Sequence, residues 1–211
     1  TSGGDCQFTT TVTNGKWKAD FTMAPCVLDV GYDSGVETWV DDPAGDASIG
    51  RWWVPKCNGM DATIFGTPGR NILRGTADAD VIQGLGGNDT LKGLAGNDVI
   101  CGGSGNDVIY GGNGRDKIFA QAGRDTVSGG LGLDVIEGGG GADTLNGNEG
   151  SDTIRGGTQG DTITGGPHGD KLYGNAGADT INGNGGPDLI RGGGGADSCD
   201  GGVGNNDVAG C

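Results

Sequence analysis

Aspartate recurs at every ninth residue through most of this chain. Asp80, Asp89, Asp98, Asp107, Asp116, Asp125, Asp134, Asp143, Asp152, Asp161, Asp170, Asp179, Asp188 and Asp197 are fourteen consecutive hits in one register, a run that chance does not give. Carboxylates repeated along a glycine-rich backbone present oxygen donors, which is the chemistry of cation binding. The formal net charge of −15 also points towards cations, and away from nucleic acid and anionic membranes. Catalysis has little to work with. His168 is the one histidine, and no nucleophile–base pair or metalloprotease motif accompanies it. It reads either as a turn substitution or as a lone metal or catalytic group. The expectation is that the chain is not an enzyme.

These aspartates belong to a larger unit. Gly102-Gly103-Ser104-Gly105-Asn106-Asp107-Val108-Ile109-Tyr110 shows it: GGxGxD followed by x-aliphatic-x. The first glycine recurs from Gly66 to Gly201, with Ala120 as the exception. The eighth position is aliphatic from Ile64 and Leu73 through Ile181 and Ile190, and Cys199 ends the row. Three residues with the middle side chain turned inward suffice for a short strand. Six glycine-rich residues make the turn, where the backbone must visit positive φ. Each nonapeptide is then half a turn of a solenoid whose two parallel sheets face each other across a thin aliphatic row. Residues 58–201 give sixteen such units, or eight turns, a stack about 40 Å long at the spacing of neighbouring strands. The expected fold is all-β: a right-handed parallel β-roll, or β-solenoid, over 57–211, with a small antiparallel β-domain over 1–56.

Some units depart from the pattern. Asn71 and Asn206 stand where aspartate is expected, which marks incomplete end sites. Gln159 and His168 replace the fourth-position glycine, with Gly160 and Gly169 one place later, so these loops are expected to bend differently or bind more weakly. Asn205-Asn206-Asp207 reads as one residue too many, a slip in register where the coil stops.

The composition explains why such a chain needs help to fold. Glycine accounts for 51 of 211 residues and only 33% are hydrophobic, so apolar burial alone cannot support the structure. The first 56 residues differ in kind. They hold all four tryptophans, Trp17, Trp39, Trp52 and Trp53. Gln7–Thr13 and Lys16–Met23 read as strands joined by the hairpin dipeptide Asn14-Gly15, with further strands at Val27–Val30 and Glu37–Val40. The tryptophans serve either as packing or as a sugar platform or docking patch. The acidic loop at Asp41, Asp42 and Asp46 leaves a glycosidase carboxylate pair as a further alternative.

The nonapeptide resembles the repeats-in-toxin, or RTX, unit. The opening from Cys57-Asn58-Gly59-Met60-Asp61, with Ile100-Cys101-Gly102-Gly103, is similar to secreted actinobacterial-type calcium-binding repeat proteins. The resemblance implies a calcium-binding parallel β-roll. Calcium would lie between loops eighteen residues apart, held by the fourteen sixth-position aspartates and by loop carbonyls. One edge would stack Asp80 to Asp188 and the other Asp89 to Asp197. One ion per gap gives about twelve, which moves the formal charge from −15 to about +9. Without calcium the repeat domain is expected to be largely unfolded.

Six cysteines suggest an oxidising compartment, and Thr1 in place of an initiator methionine points to a removed signal peptide. Fifteen pairings are possible. Proximity favours Cys6 with Cys26, Cys199 with Cys211, and Cys57 with Cys101. No apolar run is long enough to span a membrane. The outward positions of one sheet form a ladder: Thr126 and Ser128, Thr144 and Asn146, Thr162 and Thr164, Thr180 and Asn182. That array resembles an ice-binding face, although threonine suits strands in any case. The opposite sheet offers Val81, Val99, Phe119, Val135, Tyr173 and Leu189 as an apolar surface for a partner. The leading expectation is a secreted calcium-binding structural protein. The alternatives are a filament, surface-layer or matrix subunit that joins copies through residues 1–56 or sheet edges, and an ice- or carbohydrate-binding protein.

Overall fold

The computed structural model of the chain describes residues 10–13, 16–19 and 54–211. The chain divides into two compact units, Thr1–Trp53 and Val54–Cys211. In the first unit, Thr10–Thr13 pairs antiparallel with Lys16–Ala19, in the register Thr10↔Ala19 to Thr13↔Lys16. This is the hairpin expected around Asn14-Gly15. The further strands at 27–30 and 37–40, the acidic loop at 41–46, Trp39, Trp52, Trp53 and the Cys6/Cys26 pair lie outside the described residues.

The second unit is a β-solenoid of about eight turns. Its successive strands alternate between a nine-stranded and an eight-stranded parallel sheet. The first sheet runs from Ile64–Phe65 through strands such as Val135–Gly140 to Asp207–Ala209. The second runs from Ile72–Arg74 through strands such as Val108–Asn113 to Ser198–Asp200. Every pairing within these two sheets joins residues eighteen apart, as in Ile109↔Val127 and Ile118↔Ile136. Between the sheets lies the eighth-position row. Ile82 to Ile190 are buried throughout, and Ile64, Leu73 and Cys199 are partly covered at the ends. Ala120, the exception among the first glycines, is fully buried and joins this core.

Most strands are six residues long, not three. Val108–Asn113 pairs with Thr126–Leu131 at Val108↔Thr126, Ile109↔Val127 and Tyr110↔Ser128, and again at Gly112↔Gly130 and Asn113↔Leu131. The first glycine is a corner, after which the stacked backbones pair again. The left-handed residues sit at the second and fourth positions, for example Gly112 at φ 118 and Gly114 at φ 129. Residues expected to form a wholly irregular turn are therefore half sheet.

Two expectations about the ends are corrected. Residues 57–61 do not form a repeat loop. Lys56–Cys57 and Met60–Asp61 make a tight antiparallel hairpin over Asn58 and Gly59, both at positive φ, and the solenoid begins at Ile64. The register also does not slip near Asn205-Asn206. Leu189↔Asp207, Ile190↔Val208 and Arg191↔Ala209 keep the spacing of eighteen. Asn206 is the sixth residue of its unit, Asp207 opens the strand, and Val208 extends the aliphatic row past Cys199. Asp207 imitates the sixth-position aspartate in residue type alone. It is instead an outward strand residue, paired with Arg191 at 2.7 Å.

The expected apolar face is partly covered by the chain itself. Cys57 is fully buried and bonded to Cys101, and Val81, Val99 and Phe119 pack around this pair. Further along the same sheet, Arg155 lies over the Tyr173 ring at 5.3 Å. On the other sheet the threonine ladder is in register, Thr126↔Thr144↔Thr162↔Thr180, and Lys92 lies over Tyr110 where the ladder breaks.

Candidate metal centre

The sixth-position aspartates sit at the corners where the chain enters each strand, and they form two stacks, one per edge. From Asp98 onward each carboxylate divides its two oxygens between two tasks. Oδ1 accepts a hydrogen bond from the backbone N–H of the aspartate eighteen residues earlier: Asp116 N donates to Asp134 Oδ1 at 2.9 Å, and Asp134 N donates to Asp152 Oδ1 at 2.8 Å. This rung repeats from Asp80→Asp98 to Asp179→Asp197 at 2.7–2.9 Å. Sequence reasoning missed it, since spacing alone does not say which oxygen is already engaged.

The second oxygen has no partner. Oδ2 is buried without a hydrogen bond in Asp89, Asp98, Asp107, Asp116, Asp125, Asp134, Asp143, Asp152, Asp161, Asp170, Asp179, Asp188 and Asp197. Aspartates in the middle of the stack, such as Asp116, Asp125 and Asp134, are 0–1% exposed. A buried carboxylate oxygen left unpaired is costly, so a row of thirteen demands a counter-charge.

The space beside twelve of the thirteen orphans is kept free by glycine; Asp125, whose unit begins with Ala120, is the exception. A methyl carbon built on Gly129 would lie 2.6 Å from Asp134 Oδ2 and 2.8 Å from the carbonyl oxygen of Gly147 in the next turn. The same pairing of an aspartate Oδ2 with the first-glycine carbonyl of the next turn recurs at Gly93, Gly111, Gly147, Gly165 and Gly183. The recurring first glycine thus serves two purposes. It turns the corner, and it leaves room where a carboxylate and a carbonyl converge. Among the described residues no three carboxylate, imidazole or thiol groups gather at one point; what converges at the glycine corners is a carboxylate oxygen and a backbone carbonyl. Oxygen-only donors of this kind fit calcium.

The electrostatics agree. Burial pushes the carboxyl groups up, the backbone N–H at Oδ1 pulls them down less, and the neighbouring aspartates of the stack push them up again. Asp107 and Asp116 rise to about 6, and Asp125, Asp134, Asp161 and Asp170 to about 7. Asp98, Asp143, Asp152, Asp179 and Asp188 shift in the same direction, again chiefly through burial.

A family model of the RTX calcium-binding nonapeptide repeat, four copies long, matches residues 65–100, 102–136, 128–163, 137–172, 146–181 and 173–208. The chain belongs to the RTX calcium-binding repeat family. No curated protein matches it significantly. The RTX assignment agrees with the donor set just described: calcium-binding repeats folded as a β-solenoid, with carboxylate oxygens in need of a cation.

The irregular RTX loops differ in kind. Gln159 keeps the left-handed turn at φ 74 despite its side chain. His168 does not adopt positive φ. In regular loops the fourth-position N–H reaches a carbonyl of the next turn, as Gly132 N reaches Glu149 O at 2.7 Å. Gly150 N instead donates to His168 Nδ1 at 3.3 Å, and Glu149 lies 3.8 Å from the same nitrogen. The imidazole replaces a lost rung, which is the turn role expected of it. Asp80, Asn71 and Asn206, at the ends of the stacks, have no orphan oxygen; their side chains are bonded within their own loops.

Proposed function

We propose that this chain is an extracellular, non-catalytic structural protein whose solenoid is set by calcium. One observation carries the reading: the row of buried, unpartnered Oδ2 atoms from Asp89 to Asp197, all but Asp125 beside a glycine corner. Calcium bound along the two edges supplies the counter-charge that a one-residue-thick aliphatic core cannot replace, so ion binding and folding are one event. The disulfides Cys57–Cys101 and Cys199–Cys211 support secretion into an oxidising environment. Among the described residues no helix is long and apolar enough to cross a membrane. About twelve ions, one per gap, remains the working count.

Far-ultraviolet circular dichroism of the full chain during a calcium titration tests this. The expected result is little β-signal in excess chelator, a cooperative gain on adding calcium, and no equivalent gain with magnesium. The titration is run with disulfides intact and reduced, because Cys57–Cys101 ties the covering hairpin to the third strand of its sheet. A native spectrum in chelator under both conditions overturns the reading.

A further inference from the structure

At three places the ladder of orphan oxygens is closed by the chain's own groups. Asn206 accepts the ordinary rung, with Asp188 N donating to its Oδ1 at 2.9 Å. Its Nδ2 stands where the other units carry the orphan Oδ2, and donates to the carbonyl of Gly201 at 2.8 Å. That carbonyl is the one that faces Asp188 across Gly183. At the other end, Asn71 Nδ2 lies beside Gly66 as an Oδ2 would, and donates to the carbonyls of Thr67, at 3.1 Å, and Gly69. Asp80 keeps its carboxylate, but its Oδ2 accepts from Thr76 N at 2.7 Å and from Thr76 Oγ1 at 3.0 Å. The second-position residues Thr67 and Thr76 are not left-handed, unlike their counterparts from Leu85 onward, so these loops take a different path.

We infer that Asn71, Asn206 and the Thr76–Asp80 pair are built-in stops: loops that close by hydrogen bonds in place of a cation and so limit calcium to the units from Asp89 to Asp197. The chemistry is a substitution of charge. An amide N–H₂ delivers to the loop carbonyls the positive end that calcium delivers elsewhere, and it does so without an ion. A hydroxyl and a backbone N–H do the same for the Asp80 carboxylate. The end turns would otherwise bind weakly, each having a neighbouring loop on one side only. Closed in this way, they hold their shape before any ion arrives and offer the next loop a formed template. The composition of the ends is therefore matched to their position in the stack.

This inference rests on the calcium reading and is tested by counting ions. Equilibrium dialysis of the full chain against radioactive calcium is compared for the wild type, Asn206→Asp and Thr76→Gly. The expected result is one additional calcium per chain in each variant. Asn206→Asp restores the orphan oxygen and frees the Gly201 carbonyl; Thr76→Gly removes the hydroxyl donor to Asp80 Oδ2 and admits the left-handed turn of Leu85 and its successors, a path on which the residue-76 N–H is expected to leave that oxygen as well. An unchanged count in both variants, with the wild type still binding, overturns the inference and leaves the calcium reading intact. A zero count for all three proteins overturns both, and is distinct from an unchanged one. The variants lie at opposite ends, so a folding defect in one leaves the other to decide.

Discussion

The carbonyl of Gly210 faces Asp197 Oδ2 across Gly192, in the place that the first residue of the following turn takes beside Asp89, Asp107, Asp143, Asp161 and Asp179 on that edge. The residue that follows, Cys211, is bonded to Cys199, so the disulfide holds the terminal segment where it completes the last loop. Cys211→Ser is expected to lower the calcium count by one and to raise amide exchange in the last strands, with the middle of the solenoid unaffected. A loop of this size contributes about 2–3 kcal/mol through its cross-link, felt locally because each turn contacts only its neighbours. Exchange mass spectrometry with calcium present checks both the site and the locality; uniform destabilisation contradicts it.

The raised carboxyl groups give a pH dependence of definite sign. In the calcium-free fold these groups bind protons more tightly than in the unfolded chain, so their contribution to stability is present below about 3.8 and is lost as pH rises through about 6 to 7. In chelator, the β-signal is expected to grow as pH falls from 7.5 towards 4.5. With calcium the order reverses, because the ion needs the ionised form, and acid displaces it. Parallel pH titrations by circular dichroism, with and without calcium, are expected to cross. Stability in chelator that rises with pH contradicts the burial argument.

The two tasks of each carboxylate can be separated at Asp134. Asp134→Asn keeps an oxygen to accept from Asp116 N and turns the orphan into a donor, as in Asn206. Asp134→Ala removes both, leaving a buried N–H unmatched at about 1–3 kcal/mol. Both variants are expected to lose calcium at that position. In saturating calcium the alanine variant is expected to be the less stable by about that amount, measured by urea denaturation. Equal stability of the two would show that the rung contributes nothing.

What was legible in the sequence was whatever repeats. The spacing of nine and the eighth-position row from Ile82 to Ile190 determine which side chains face inward, and they assign alternate units to the two sheets. Contacts between turns were not legible. The Asp116–Asp134 rung joins backbone to side chain across eighteen residues, and composition carries no mark of it. Asp80 looks identical to its thirteen successors in residue type, and only Thr76, at an ordinary second position, sets it apart. At the C-terminal end the opposite error arose. Asp207 imitates the motif, and only the pairing Leu189↔Asp207 shows it to be a strand residue. The hairpin at 56–61 escaped because Asn58-Gly59 reads as one more glycine-rich loop until Cys57 is seen buried against Cys101.

A core one residue thick has little capacity to absorb a deletion. Ile136 is fully buried between the sheets, stacked on Ile118 and Ile154 in its own sheet. Ile136→Ala is expected to cost about 2–5 kcal/mol, since the strands on either side are held in register and cannot close the gap. Val208 occupies the same position in the last unit but is 42% exposed, so Val208→Ala is expected to cost less than about 1 kcal/mol. The two truncations are compared by denaturation at saturating calcium, and again at a calcium level that half-fills the sites. Because folding and ion binding are coupled, Ile136→Ala is expected to shift the calcium midpoint to higher concentration, whereas Val208→Ala leaves it nearly unchanged. A calcium midpoint that ignores Ile136→Ala would mean that the edges bind ions independently of the core between them.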